Sequence, residues 1–131
     1  MNPSDWVADC MVPDAWLHEP FAIDGMAVAC DGSALVAFPG QGKQYKPARF
    51  DGESDPTNQI RAALSQAKIA VTAPAGELKS LPISAEHLAR LASQTGLQVE
   101  IHPNRVIFKC INTDTGELSA FGVIYIGGKA Q

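Results

Sequence analysis

Three short apolar segments divided by Asp-Gly pairs form the clearest pattern along this chain. Phe21-Ala22-Ile23 runs into Asp24-Gly25, Met26 to Cys30 runs into Asp31-Gly32, and Ser33 to Phe38 runs into Pro39-Gly40. Asp-Gly suits the type I′ hairpin turn, because both central residues of that turn need positive φ. The pattern predicts a three-stranded antiparallel meander. Upstream, Ser4 as a cap with Trp6, Val7 and Cys10 at helical spacing predicts a short helix that Pro13 ends. Trp16, Leu17 and Phe21 read as buried anchors.

Two helical patterns follow. Asp55 is suited to cap a helix and Pro56 to be its first residue. Ile60, Ala63, Leu64 and Ala67 make an apolar stripe, while Arg61, Ser65 and Lys68 share the other face. Ile69 to Thr72 then reads as a short strand and Ala73 to Gly76 as a loop. Ser84 caps the second helix. Ile83 and Leu88 around it have the spacing of a hydrophobic staple. Leu88, Leu91 and Ala92 form its core stripe, and Gly96 is a natural left-handed terminator.

The last third alternates with a period of two. Leu97, Val99 and Ile101 interleave with Gln98, Glu100 and His102, which predicts a half-buried strand. Pro103-Asn104 turns the chain. Arg105 to Ile111 forms a second strand with Val106, Phe108 and Cys110 on one face. Thr113 to Glu117 makes a polar turn, Leu118 to Ile126 a third strand, and Gly127 to Gln131 a frayed tail. Antiparallel blocks beside helices predict the α+β class: antiparallel β-meanders packed with two main helices.

Length and composition narrow the function classes. The chain has 131 residues, 46% apolar and 18% charged, so a single domain over residues 1–131 is the expectation. A chain of this length buries roughly two-thirds of the surface its unfolded form exposes, so it needs no staple. Its apolar runs are too short to span a membrane. The start has neither a basic stretch nor an apolar one, so the expected location is the cytoplasm. Cys10, Cys30 and Cys110 are scattered and odd in number, which points to free thiols in a reducing compartment.

The net charge of −4 is unevenly spread. Residues 1–42 hold six acids and no Lys or Arg, for −6, and residues 43–131 hold ten bases and eight acids, for +2. Lys43, Lys46 and Arg49 share a loop with Tyr45 and Phe50, and Arg61 and Lys68 follow on one helix face. Such a strip suits phosphate contact. A solvated polar face is the simpler reading of the same residues.

Candidate chemistry is sparse. A structural zinc site needs close Cys or His pairs that converge on one tetrahedron; no such pair exists here, and Cys10, His18 and Cys30 could converge only by folding accident. Cys30 and Cys110 read as small core hydrophobes and not as activated nucleophiles. Pro39-Gly40-Gln41-Gly42-Lys43-Gln44 resembles a phosphate loop, but it has one residue between its glycines and Gln44 where Ser or Thr belongs. His87 reads as an exposed residue of a helix's first turn. No metal, cofactor or catalytic residue is expected.

Two pieces resemble the bacterial DNA polymerase III beta sliding clamp family. Ile23-Asp24-Gly25-Met26 followed by Ala29-Cys30-Asp31-Gly32-Ser33-Ala34-Leu35-Val36 is similar to the clamp's strand pair, with Ser33-Ala34 where the clamp pattern has His-Arg. Leu81-Pro82-Ile83-Ser84, the helix to Gly96, Val99-Glu100-Ile101 and Asn104-Arg105-Val106-Ile107-Phe108 resemble the clamp's helix and the two strands after it. Clamp chains have three domains, and this chain has room for one. The resemblance implies helices on one face of curved sheets, with Arg61, Lys68 and Arg90 as the residues that would face duplex DNA. Ring assembly would require a homo-oligomer.

The expected function is a non-enzymatic interaction module. It would bind a protein partner through a sheet edge or an apolar patch, as an accessory or inhibitory protein in DNA transactions or of a mobile element. One alternative is nucleic-acid binding through Lys43, Lys46, Arg49, Arg61, Lys68 and Arg90. Another is a small enzyme acting on a phosphorylated or nucleotide ligand near Gly40 to Lys43.

Overall fold

The computed structural model describes residues 20–30, 33–47, 57–77, 80–92, 94 and 96–126. The expected N-terminal helix, Trp16, Leu17, His18, the Asp31-Gly32 pair, Arg49, Asp55, Pro56 and the C-terminal tail lie outside them.

Seven strands form one antiparallel sheet. The first meander is β1 (Phe21–Ile23), β2 (Met26–Cys30) and β3 (Ala34–Phe38). A 3-10 turn at Gly42–Gln44 precedes helix α1 (Thr57–Ile69). Strand β4 (Ala73–Pro74) and helix α2 (Ala85–Ala92) lead to β5 (Leu97–Ile101), β6 (Arg105–Ile111) and β7 (Leu118–Tyr125). The spatial order is β1-β2-β3-β7-β6-β5-β4. The two meanders therefore join through β3 and β7, with Val36 paired to Gly122.

The helices cover opposite faces of this sheet. Ile60, Leu64 and Ala67 of α1 pack with Phe21, Ile23, Val28, Leu35, Ile107, Phe121 and Val123. Leu91 of α2 and Leu81 before it pack with Ala29, Val36, Phe38, Phe108, Cys110 and Ile124 on the other side. This three-layer arrangement departs from the same-face helices that the clamp resemblance implied. It also explains why β3 reads as an unbroken apolar run. All five of its residues are buried, because a strand covered on both faces has no polar side to show. Each large side chain fully buried in these layers contributes roughly 1.5–3 kcal/mol over leaving it wet.

Local chemistry sets the turns. Asp24 and Gly25 have φ of 53° and 78°, the paired positive values of a type I′ turn. Gly96 has the expected positive φ, 62°, although α2 itself ends at Ala92. Ser84 accepts a hydrogen bond from the His87 amide at 3.3 Å, which is the expected cap. Ile83 and Leu88 pack against the same core, as a staple requires. The turn from β6 to β7 is held by Asn112, whose Oδ1 accepts from the amides of Asp114 at 2.9 Å and Thr115 at 3.3 Å. Within β7, Ser119 is an extra residue between the Cys110–Ala120 and Ile111–Leu118 pairs. Its hydroxyl donates to the Cys110 carbonyl at 2.9 Å, satisfying an acceptor at this bulge.

Several expectations need correction. The segment Ile69 to Thr72 is not a strand: α1 continues through Ile69, and the strand is Ala73–Pro74, where a loop was expected. Lys109 Nζ donates to the Ala70 carbonyl at 2.7 Å. That places a cation on the negative end of α1 and favours its extension to Ile69. Ala92 is exposed, whereas His87 is buried at 5% exposure and belongs to the inner face of α2. Cys110 is a core residue as expected, but Cys30 is only half-buried.

Candidate functional site

The basic positions do not form one continuous face. Lys43 and Lys46 are exposed on the loop after β3, Arg61 and Lys68 are exposed on α1, and Arg90 is half-buried on α2 across the sheet. Arg90 therefore cannot share a flat DNA surface with Arg61 and Lys68. The loop and α1 do meet at one corner. The Gly42 amide donates to the Gly25 carbonyl at 3.1 Å. Beside Gly25, Asp24 takes a two-pronged contact from Arg61: Nε donates to Oδ2 at 2.9 Å and Nη2 to Oδ1 at 3.0 Å. This pair is half-exposed, so its geometry matters more than its energy. It fastens the β1–β2 turn to α1.

The glycine-rich loop is used structurally. A Cβ on Gly42 would come within 2.7 Å of the Gly25 carbonyl carbon, so the residue is small in order to let two turns touch. The amides of Gln41, Gly42, Gln44 and Tyr45 donate to Phe38, Gly25, Gln41 and Gly42 carbonyls. A phosphate cradle needs such amides free to point at a ligand, and these four are occupied.

Beside this corner lies a cleft of about 390 Å³ between α1 and the β1–β2 turn. Leu64 and Phe121 line it, with Arg61, Ser65 and Lys68 on the helix side and Asp24, Gly25, Met26, Pro39 and Gly40 opposite. Polar and apolar groups contribute to its lining in comparable measure, and it is open to solvent. Composition pointed to the cations, but only the fold shows that Arg61 closes onto the turn at Asp24 while Lys68 stands beside a concavity.

His87 is placed differently from its expected surface position. Nδ1 lies 3.0 Å from Ser84 Oγ, and Nε2 lies 3.5 Å from Ser33 Oγ. Both ring nitrogens thus have hydroxyl neighbours inside the structure, and the imidazole ties α2 to the start of β3. Burial raises the Cys110 thiol from 9.0 to about 12, which makes it a poor nucleophile. Among the described residues no group of His, Cys, Asp and Glu is arranged to hold a metal ion. No helix among them is long and apolar enough to cross a membrane.

The two sheet edges are both closed by proline. At the β1 edge, the Ala22 amide donates to the Lys46 carbonyl at 2.8 Å, and Pro47 bridges to Ala22 in parallel. At the β4 edge, the Ala75 amide donates inward to Leu97 at 3.1 Å. Alternation then turns the groups of Pro74 outward, where the residue has no N–H to offer. Next to this edge, Ile69, Val71 and Ile101 are 80%, 87% and 56% exposed. Ala73 pairs with Val99; Val71 precedes β4 by two residues, and Ile101 ends β5 two residues beyond Val99. Sequence reasoning read Ile69 and Val71 as strand residues and missed them as surface.

Comparison with protein-family models, with curated proteins and with solved structures found no match to this chain.

Proposed function

We propose that this chain is a non-enzymatic interaction module that docks a protein partner through the apolar patch of Ile69, Val71 and Ile101. The observation that carries the reading is their exposure, 80%, 87% and 56%, at one end of a sheet whose core is otherwise well covered. Large aliphatic residues left in water are costly unless something covers them in use. Proline at both edges disfavours addition of a partner strand, so the contact is made by side chains. The segments similar to the sliding clamp favour a role for this chain as an accessory or inhibitory protein in DNA transactions or of a mobile element. The scattered thiols favour the cytoplasm.

The test is a pull-down from a lysate of the source organism with wild-type protein and with Val71→Asp and Ile101→Asp variants, followed by mass spectrometry. The expected result is a protein enriched by wild type and by Lys43→Gln, and lost from both patch variants. Retention of every enriched protein by the patch variants overturns the proposal. So does light scattering that shows the wild type self-associating and the patch variants monomeric, since a second copy would then be the occupant.

A further inference from the structure

We propose that the cleft between α1 and the β1–β2 turn binds a small amphipathic anion, one carboxylate or phosphate monoester group carried on an apolar body. This inference is independent of the docking patch. The cleft has about 390 Å³ of space, in the range of small-molecule sites. Its charge is polarised along the helix. Arg61 and Lys68 lie two turns apart on α1, about 10 Å along its axis. Asp24 is the only acid among the lining residues, and Arg61 already neutralises it. The net positive charge therefore lies at the Lys68 end.

Ser65 precedes Lys68 by three residues, so its hydroxyl and the ammonium share one face. Neither has a hydrogen-bond partner among the described residues, so together they offer donors to an anionic head group. Met26 and Pro39, both half-buried, give the cleft its apolar floor above the buried Leu64 and Phe121. At the far end, Asp24 holds the guanidinium by two N–H groups. The remaining N–H groups can meet a neutral polar atom of the ligand. A bare inorganic anion leaves the floor unused, and a neutral apolar molecule leaves Lys68 unused. A duplex backbone would bring further phosphates against Asp24.

The experiment is an amide-resolved NMR titration of the full chain with four probes: phenyl phosphate, benzoate, inorganic phosphate and benzyl alcohol. The expected result is saturable shifts at Gly40, Ser65 and Phe121 with at least one aromatic anion. Its affinity should exceed that of inorganic phosphate and of benzyl alcohol by about fivefold or more. The stronger of the two aromatic anions identifies the head group. Lys68→Gln, an exposed change, should weaken binding about fivefold, and Asp24→Asn should strengthen it by unmasking Arg61. Absence of saturable shifts at these residues with both aromatic anions overturns the inference. Equal binding by Lys68→Gln, or benzyl alcohol matching the anions, overturns it too. None of these outcomes bears on the patch, which Lys68→Gln leaves intact.

Discussion

Ser84 Oγ stands 3.0 Å from Nδ1 of His87, and the same oxygen accepts the His87 amide at 3.3 Å. One hydroxyl therefore caps α2 and satisfies a buried imidazole. The imidazole in turn reaches Ser33 Oγ at 3.5 Å, so the start of α2 is tied to the start of β3.

Removing that hydroxyl should cost more than an ordinary cap. A lost cap costs about 1 kcal/mol, and a buried ring nitrogen left without its partner adds about 1–3 kcal/mol. Ser84→Ala is expected to destabilise by about 2 kcal/mol or more in urea unfolding. A loss under about 0.5 kcal/mol, the level of a neutral surface change, would show that the His87 contact contributes nothing.

Gly122 sits where the two meanders meet. A Cβ there would run into the Leu35 carbonyl and close on the Val36 backbone. Backbone atoms of a central strand cannot step aside as a flexible side chain can. Gly122→Ala should therefore force β3 and β7 apart and destabilise by about 3 kcal/mol, the upper end of overpacking. The check is the urea midpoint together with amide exchange at Val36. An unchanged midpoint would mean that the joint between meanders is loose.

The Cys110 thiol gives a pH dependence with a defined sign. Burial disfavours the thiolate and raises the group from 9.0 to about 12. Above pH 9 the unfolded chain has released this proton while the folded chain keeps it. The unfolded state then binds fewer protons, so stability falls as pH rises, by up to ~1.4 kcal/mol per pH unit, toward about pH 12. The contribution is complete below pH 9. Cys110→Ala has no thiol to titrate. The stability gap between wild type and this variant should narrow between about pH 8 and about pH 10.5. A constant gap would show that the thiol is hydrated in the folded state.

Much of the architecture was legible in the chain because local rules and the fold agree. Asp24-Gly25 demanded positive φ and received it, Ser84 capped, and Gly96 turned left-handed. The Ile60, Leu64 and Ala67 stripe met the sheet, and Arg61 and Lys68 stayed in water. The errors fall where a distant residue outvotes a local preference. Ile69 and Val71 are β-branched and their segment reads as strand, yet α1 runs to Ile69 and Lys109 of β6 bonds the Ala70 carbonyl beyond it. His87 reads as surface by residue type, yet hydroxyls from two separate segments let it be buried.

The candidate sites show the same division. The residue types of the cleft were visible as a basic helix face and an Asp-Gly turn, because charge and spacing are properties of the chain. Their partnership was not: Asp24 and Arg61 are separated by a meander and a loop, and only the closing of α1 over the sheet sets one against the other. Periodicity likewise determined which faces of each strand and helix are apolar. It could not determine that the two helices take opposite faces, or that Ile69, Val71 and Ile101 end exposed. Short-range sterics and hydrogen bonding act within a few residues and are written in the sequence. Which apolar face meets which is decided by the packing of the whole, where every surface competes for the same burial.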